Sequence, residues 1–233
     1  MKENVYLIIH GFNGRPDDIV YLDEYLQTKG LDTRTVLLDG HGSNKKTLTK
    51  SSHTSWLSSA ASVVSELARE YRCVNLVGFS MGGLISICLA SLPGVSKIVF
   101  INTPIYFWNL KIIIGDVAKG IFSRKFEKIA YYKQSVVTVS IKSGIDFLRI
   151  LLKAKRKLKD VHNRSLIIQC KNDESVHFRS AKYIKKKLKE RAELQYYQGG
   201  CHRLFTEAVE LRDLACEDIY EFLEGEGEEN EHI

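Results

Sequence analysis

Ser80 stands between two glycines in the run Gly78-Phe79-Ser80-Met81-Gly82-Gly83. The apolar stretch Cys73–Val77 precedes it and reads as a short buried strand; Leu84–Leu92 follows and reads as a helix. A serine with glycines two residues to either side, at a strand-to-helix junction, is a nucleophile elbow. The chain must turn so sharply there that side chains at positions 78 and 82 would collide. Such a turn lifts the Ser80 hydroxyl above the sheet edge, next to the positive end of the following helix. The chemistry this arrangement suits is attack on a carbonyl carbon, with the Met81 N–H placed to bind the oxygen that becomes negative.

A serine hydroxyl is a weak nucleophile without a base to take its proton. In a parallel sheet, site residues gather in loops beyond the carboxyl ends of the strands. Of the seven histidines, His10, His41 and His202 directly follow predicted strands. His10 adjoins a glycine-rich turn and His41 lies between glycines. His202 comes after the last strand and fits the chain order serine, acid, histidine found with such elbows, so it is taken as the base. The orienting acid should follow the penultimate strand, where Cys170-Lys171-Asn172-Asp173-Glu174 stands. Asp173 is the first choice and Glu174 the alternative. A second oxyanion donor should come from the loop His10-Gly11-Phe12-Asn13-Gly14, through the Phe12 N–H, with the Phe12 ring walling the pocket.

Elements able to position these residues follow in order. Predicted strands are Val5–Ile9, Thr33–Leu38, Cys73–Val77, Lys97–Ile101, Ser165–Cys170 and Leu194–Tyr197. Between them lie helical patterns from Pro16 to Gly30, Thr54 to Tyr71, Phe178 to Glu190 and Thr206 to Leu223, the last buried through Leu211, Leu214, Ala215, Ile219 and Phe222. Strand–helix alternation predicts a parallel sheet of about six strands with helices on both faces. It breaks after Asn102-Thr103-Pro104; Leu110–Phe122 is apolar with interspersed lysines and Lys142–Lys159 has a helical pattern, a stretch that reads as a helical cap or, alternatively, as two ordinary layer helices.

The chain has 233 residues, 44% of them hydrophobic, enough for one α/β domain with an insertion and too apolar for global disorder. Five cysteines, none in a C-x-x-C pair, read as reduced thiols of a cytoplasmic protein and hold no zinc-site spacing. No signal peptide or transmembrane run is expected, since the first apolar run, Val5–Ile9, is too short for either. The net charge of +6 is uneven. Lys111–Arg164 carries 14 basic and 4 acidic residues, whereas Glu217–Glu231 carries 8 acidic and no basic ones. This argues against a general nucleic-acid-binding domain and for a basic segment plus an acidic tail.

The assembled pattern resembles the α/β-hydrolases, and within them the small bacterial carboxylesterases related to monoacylglycerol lipases. The resemblance rests on His10 through Gly14, Gly40-His41-Gly42, His53 through Trp56, Gly78 through Gly83, Asn102 through Tyr106, Asp173-Glu174, His202 and Glu217 through Leu223. It implies an α/β-hydrolase fold with a small helical cap, the triad Ser80, Asp173 and His202, and hydrolysis of short to medium acyl esters with no metal or cofactor. Two departures are visible. The chain starts directly at its first core strand, and Cys201 stands where such proteins commonly have glycine before the histidine.

The expected division is a core of residues 1–104 and 161–225, a cap insertion over 105–160 and an acidic tail over 226–233. Within the insertion, Tyr106, Trp108 and Phe147 are expected to line an acyl pocket with Phe12. Its lysines either face water or meet an anionic surface. The expected partner is a small ester; the same triad could serve a thioesterase, amidase or acyltransferase, and the fold could also carry a binding function without catalysis.

Overall fold

The structure, a computed structural model, describes residues 1–107 and 140–225. Six strands form one sheet: β1 (Lys2–Ile9), β2 (Thr33–Val36), β3 (Tyr71–Phe79), β4 (Val95–Ile101), β5 (Ser165–Cys170) and β6 (Ala192–Tyr197). Their spatial order is β2-β1-β3-β4-β5-β6, and every adjacent pair is parallel. The helices are α1 (Val20–Thr28), α2 (Lys45–Lys50), α3 (His53–Glu70), α4 (Met81–Leu89), α5 (Ile141–Lys157), α6 (Arg179–Leu188) and α7 (Val209–Glu224). A 3₁₀ turn, Pro16–Ile19, leads into α1.

Both faces of the sheet are apolar because successive strand side chains alternate. In β1, Val5, Leu7 and Ile9 join a core with α3, α4, α5 and α6. Tyr6 and Ile8 join a second core with α1 and α7. After β2 the chain crosses back over β1 to lay down β3, so the strand order reverses between β1 and β3. Right-handed crossovers then put α1 and α3 on opposite faces. That reversal opens a crevice at the carboxyl ends, where ligands of such sheets bind. The register Ile9↔Gly78 brings the loop after β1 beside the elbow after β3.

Several element boundaries differ from those expected. α4 begins at Met81, immediately after Ser80, and not at Leu84, because Gly82 and Gly83 are accommodated inside a fully buried helix. The six-residue α2 is not foreshadowed by any apolar period; the Asn44 side chain makes it, accepting from the Lys46 and Thr47 N–H groups. Leu214, expected to be inward on α7, is 50% exposed, while Cys216 and Leu223 take buried positions. α5 lays Phe147, Ile150, Leu151 and Ala154 on the core beside α3 and α4. Over its described length it packs on α2, α3 and α4. The rest of the insertion, 108–139, and the acidic tail, 226–233, lie outside the described residues. Lys97 closes the far end of the molecule, its ammonium donating to the carbonyls of Leu223 at 2.7 Å and Gly225 at 2.9 Å. It thereby satisfies the last turn of α7.

Candidate active site

Ser80 sits in the left-handed region, with φ 52° and ψ −117°. A non-glycine residue there is strained, and the surrounding structure must hold it. The flanking glycines show how. A Cβ on Gly78 would lie 2.5 Å from the Gly83 nitrogen, and one on Gly82 would overlap the Ile9 carbonyl oxygen. Only side-chain-free residues let β3, α4 and the end of β1 approach this closely. The Ser80 N–H is tied to the Ile101 carbonyl at 2.8 Å, which fastens the turn to β4.

His202, in the loop after β6, reaches Ser80 from the side. Its Nε2 is 3.0 Å from Ser80 Oγ, and its Nδ1 is 2.8 Å from Asp173 Oδ2. With Nδ1–H donating to the carboxylate, Nε2 is left as the acceptor for the Ser80 hydroxyl. Asp173 is 1% exposed. Its other oxygen accepts from the N–H groups of Ser175 at 2.8 Å and Val176 at 2.7 Å, which fixes the carboxylate plane. The two neighbouring acids divide the work. Glu174 accepts from the His202 backbone N–H at 3.0 Å, so it holds the loop while Asp173 holds the ring.

The loop after β1 lies against the elbow: a Cβ on Gly11 would be 3.3 Å from that of Ser80. His10 is fully buried. Its Nε2 accepts from the Leu38 N–H at 3.2 Å, and its Nδ1 is 2.8 Å from the Gly11 carbonyl oxygen, so the proton sits on Nδ1. Burial lowers its basicity and keeps it neutral. Gly14 N–H also donates to the Gly11 carbonyl, at 3.2 Å. In a trans peptide the carbonyl and the next N–H point opposite ways. Pulling the Gly11 oxygen toward His10 therefore turns the Phe12 N–H to the other side.

The Phe12 ring packs on Phe147 at 5.0 Å between centroids and on Trp56 at 5.7 Å; Phe107 meets Phe147 at 5.7 Å. α5 is anchored next to Phe147 by the buried carboxylate of Asp146, which meets His53 Nδ1 at 2.7 Å and Lys142 at 3.1 Å. Tyr106 does not join this cluster. Its ring meets Tyr183 at 5.6 Å under the Lys155 ammonium, 41% exposed. The chain bends at Tyr106, and Phe107, bridged to Val176, takes the inner place. Trp108 lies outside the described residues. His41, the remaining histidine candidate, is buried against His10 and Trp56 and does not bond to Ser80.

Two residues with a clear place here carried no assigned role in the sequence. Phe107 was one large side chain among several in the insertion. Asn102 was part of a motif only, and its side chain reaches the His202 loop. Among the described residues no group of three His, Cys, Asp or Glu could hold a metal ion, and no helix is long and apolar enough to cross a membrane.

No family model matches the chain. It is 24% identical over 232 residues to a carboxylesterase of Bacillus subtilis (strain 168), covering 95% of this chain and 93% of that one. It is 22% identical over 181 residues to a thermostable monoacylglycerol lipase of Bacillus sp. (strain H-257), covering 73% and 70%. Among solved structures, one from the metagenome-derived lipolytic enzymes LipS and LipT superposes with a TM-score of 0.78 at 19% identity, covering 95% of this chain and 94% of that one. The chain has the α/β-hydrolase fold and resembles carboxylesterases and monoacylglycerol lipases built on it.

Proposed function

We propose that the protein is a serine carboxylesterase that hydrolyses short to medium acyl esters, monoacylglycerols among them, through an acyl-serine intermediate. The observation that carries this reading is the continuous relay Ser80–His202–Asp173, at 3.0 and 2.8 Å, on an elbow of left-handed backbone. Ser80 Oγ attacks the ester carbonyl while its proton passes to His202 Nε2. Asp173 steadies the imidazolium that forms. The N–H groups of Met81 and Phe12 receive the tetrahedral oxyanion. As the carbon–oxygen bond breaks, His202 returns the proton to the leaving alcohol. Water, deprotonated by His202, then cleaves the acyl-Ser80. In this reading Phe12, Phe107 and Phe147 form the acyl wall.

The test is hydrolysis of chromogenic esters of increasing acyl length, with a thioester series alongside, by the wild-type protein, Ser80→Ala and His202→Ala. Each variant should lose about 10³-fold or more in kcat, and the double variant little beyond that, because the two groups act as one unit. A Ser80→Ala protein with wild-type turnover would end the proposal. A faster thioester than ester series would change the substrate class and keep the mechanism.

A further inference from the structure

We infer that Asn102 is a positioning residue for His202: its side-chain amide fixes the backbone of the His202 loop against the ends of β4 and β5. This rests on the reading of His202 as the base.

Asn102 is fully buried at the carboxyl end of β4. Its backbone N–H donates to the Ile168 carbonyl at 2.9 Å, so the main chain still belongs to the sheet. Its φ of 45° is left-handed, a conformation asparagine tolerates better than most residues. The turn swings the side chain around the end of β5. There Oδ1 accepts from the Cys170 N–H at 2.9 Å. Nδ2 donates to the carbonyls of His202 at 3.0 Å and Cys201 at 3.3 Å. One partner can only donate and two can only accept, so the amide has a single allowed orientation.

The loop it grips needs such a hold. Gly199 and Gly200, just ahead, both have positive φ and impose little conformational preference of their own. His202 is thereby held at three separate points. Asp173 takes the ring, Glu174 the backbone N–H and Asn102 the backbone carbonyl. The first point sets the tautomer. The other two set where the Cα stands, and hence whether Nε2 reaches Ser80 Oγ. Asn102 also bonds to Cys170, three residues before Asp173, so one side chain references both partner loops to β4. Asparagine is suited to this where aspartate is not. A carboxylate could still accept from Cys170 but would face two carbonyl oxygens with nothing to donate.

A built-in comparison exists. Asn163 spans the carbonyls of Val95 and Ser96 at 3.1 and 2.9 Å, just before β5 at the opposite end of the sheet. It makes the same kind of two-carbonyl bridge with no contact to the site. Asn102→Ala, Asn102→Asp, Asn163→Ala and Ser80→Ala should be compared for kcat and KM on a short chromogenic ester. Melting temperature and the rate of covalent labelling by a small fluorophosphonate complete the comparison. A displacement of a reacting group by ~1 Å can cost about 10²-fold. Both Asn102 variants should therefore lose about 10- to 100-fold in kcat and in labelling rate, with KM within about threefold. Asn163→Ala should lose melting temperature with kcat unchanged. If the two Asn102 variants fail to fold, Asn102→Ser, which keeps a hydroxyl donor, carries the same criterion. Folded Asn102 variants with wild-type kcat, or an equal kcat loss in Asn163→Ala, would overturn the inference. Ser80→Ala separates the two levels. If it abolishes hydrolysis while the Asn102 variants keep it, only this inference fails; if it stays active, the esterase reading itself fails.

Discussion

His41 makes the protein's stability depend on pH in a way that can be measured apart from activity. The residue is 5% exposed, with its ring 5.2 Å from both His10 and Trp56. Its Nδ1 lies 3.1 Å from the Asp39 carbonyl, and its Nε2 has no hydrogen-bond partner among the described residues. Burial, reinforced by His10, pushes the imidazole down from 6.5 to about 4. The unfolded chain therefore takes up a proton near pH 6.5 that the folded chain refuses until about pH 4. Between these values the unfolded state binds more protons, so stability falls as pH falls, at about 1.4 kcal/mol per pH unit. Relative to pH 7.5 the loss is about 2 kcal/mol at pH 5, a sizeable part of a typical ~5–15 kcal/mol. His41→Asn keeps a donor toward Asp39 and cannot titrate. Urea unfolding followed by tryptophan fluorescence at pH 7.5, 6 and 5 should show the variant less stable at neutral pH but flatter toward acid. The wild type should lose about 2 kcal/mol more than the variant over that range. His10 is present in both proteins, so its own contribution largely cancels in the difference. Parallel acid profiles for the two proteins would refute the reasoning.

Gly82→Ala should cost more than about 3 kcal/mol or abolish soluble expression, because its Cβ would overlap the Ile9 carbonyl oxygen and lie 3.0 Å from that of His10; a near-normal thermal melt would contradict the packing argument. Asp173→Asn should lower kcat by about 10³- to 10⁴-fold, whereas Glu174→Gln, whose amide oxygen can still accept from the His202 N–H, should stay within about threefold. The reverse ranking in steady-state kinetics would hand the orienting role to Glu174. Phe147→Ala should shift the preferred acyl length while Tyr106→Ala leaves it unchanged, which the ester series reads directly. α5 exposes Ile141, Ile145 and Leu152 beside Arg149, Lys153 and Arg156. Vesicles containing anionic lipid should bind the protein in low salt and release it in high salt, each basic residue contributing about 1 kcal/mol. Absence of binding, or salt-insensitive binding, leaves these residues as a solvated face.

The sheet was readable because β1, β3, β4 and β5 are short apolar runs punctuated by glycine and polar loops, and burial on both faces leaves no alternation to misread. That His202 and Asp173 lie near Ser80 could be anticipated because fold topology sends every strand end to the same edge, which turns chain order into position. What escaped reading depends on contacts distant in sequence. The start of α4 at Met81 follows from the close approach of β1, which propensity at Gly82 and Gly83 argues against. α2 is made by an Asn44 cap and not by a hydrophobic period. Tyr106 and Phe107 are equally aromatic, and only the bridge from Phe107 to Val176, 69 residues on, decides which one turns inward. The 102-to-202 bridge joins a buried polar side chain to a loop 100 residues away, and no local pattern announces such a bond.

Among the described residues β6 is an edge strand, paired on one side only, and the loop carrying His202 hangs from it. Ser80, by contrast, is seated between β1 and β4 in the middle of the sheet. His202, the base in the proposed mechanism, therefore rides on a strand whose backbone is bonded to β5 alone among the described strands. Local opening of a sheet edge needs less free energy than global unfolding. On gentle heating His202 should drift from Ser80 before the core melts, so that, if the proposed mechanism holds, activity fades while the far-UV signal is still intact. The same asymmetry runs along the ribosome's direction of synthesis. Ser80 and its elbow lie in the first half of the chain, and in the proposed mechanism the serine gains its base only once β6 has joined the sheet.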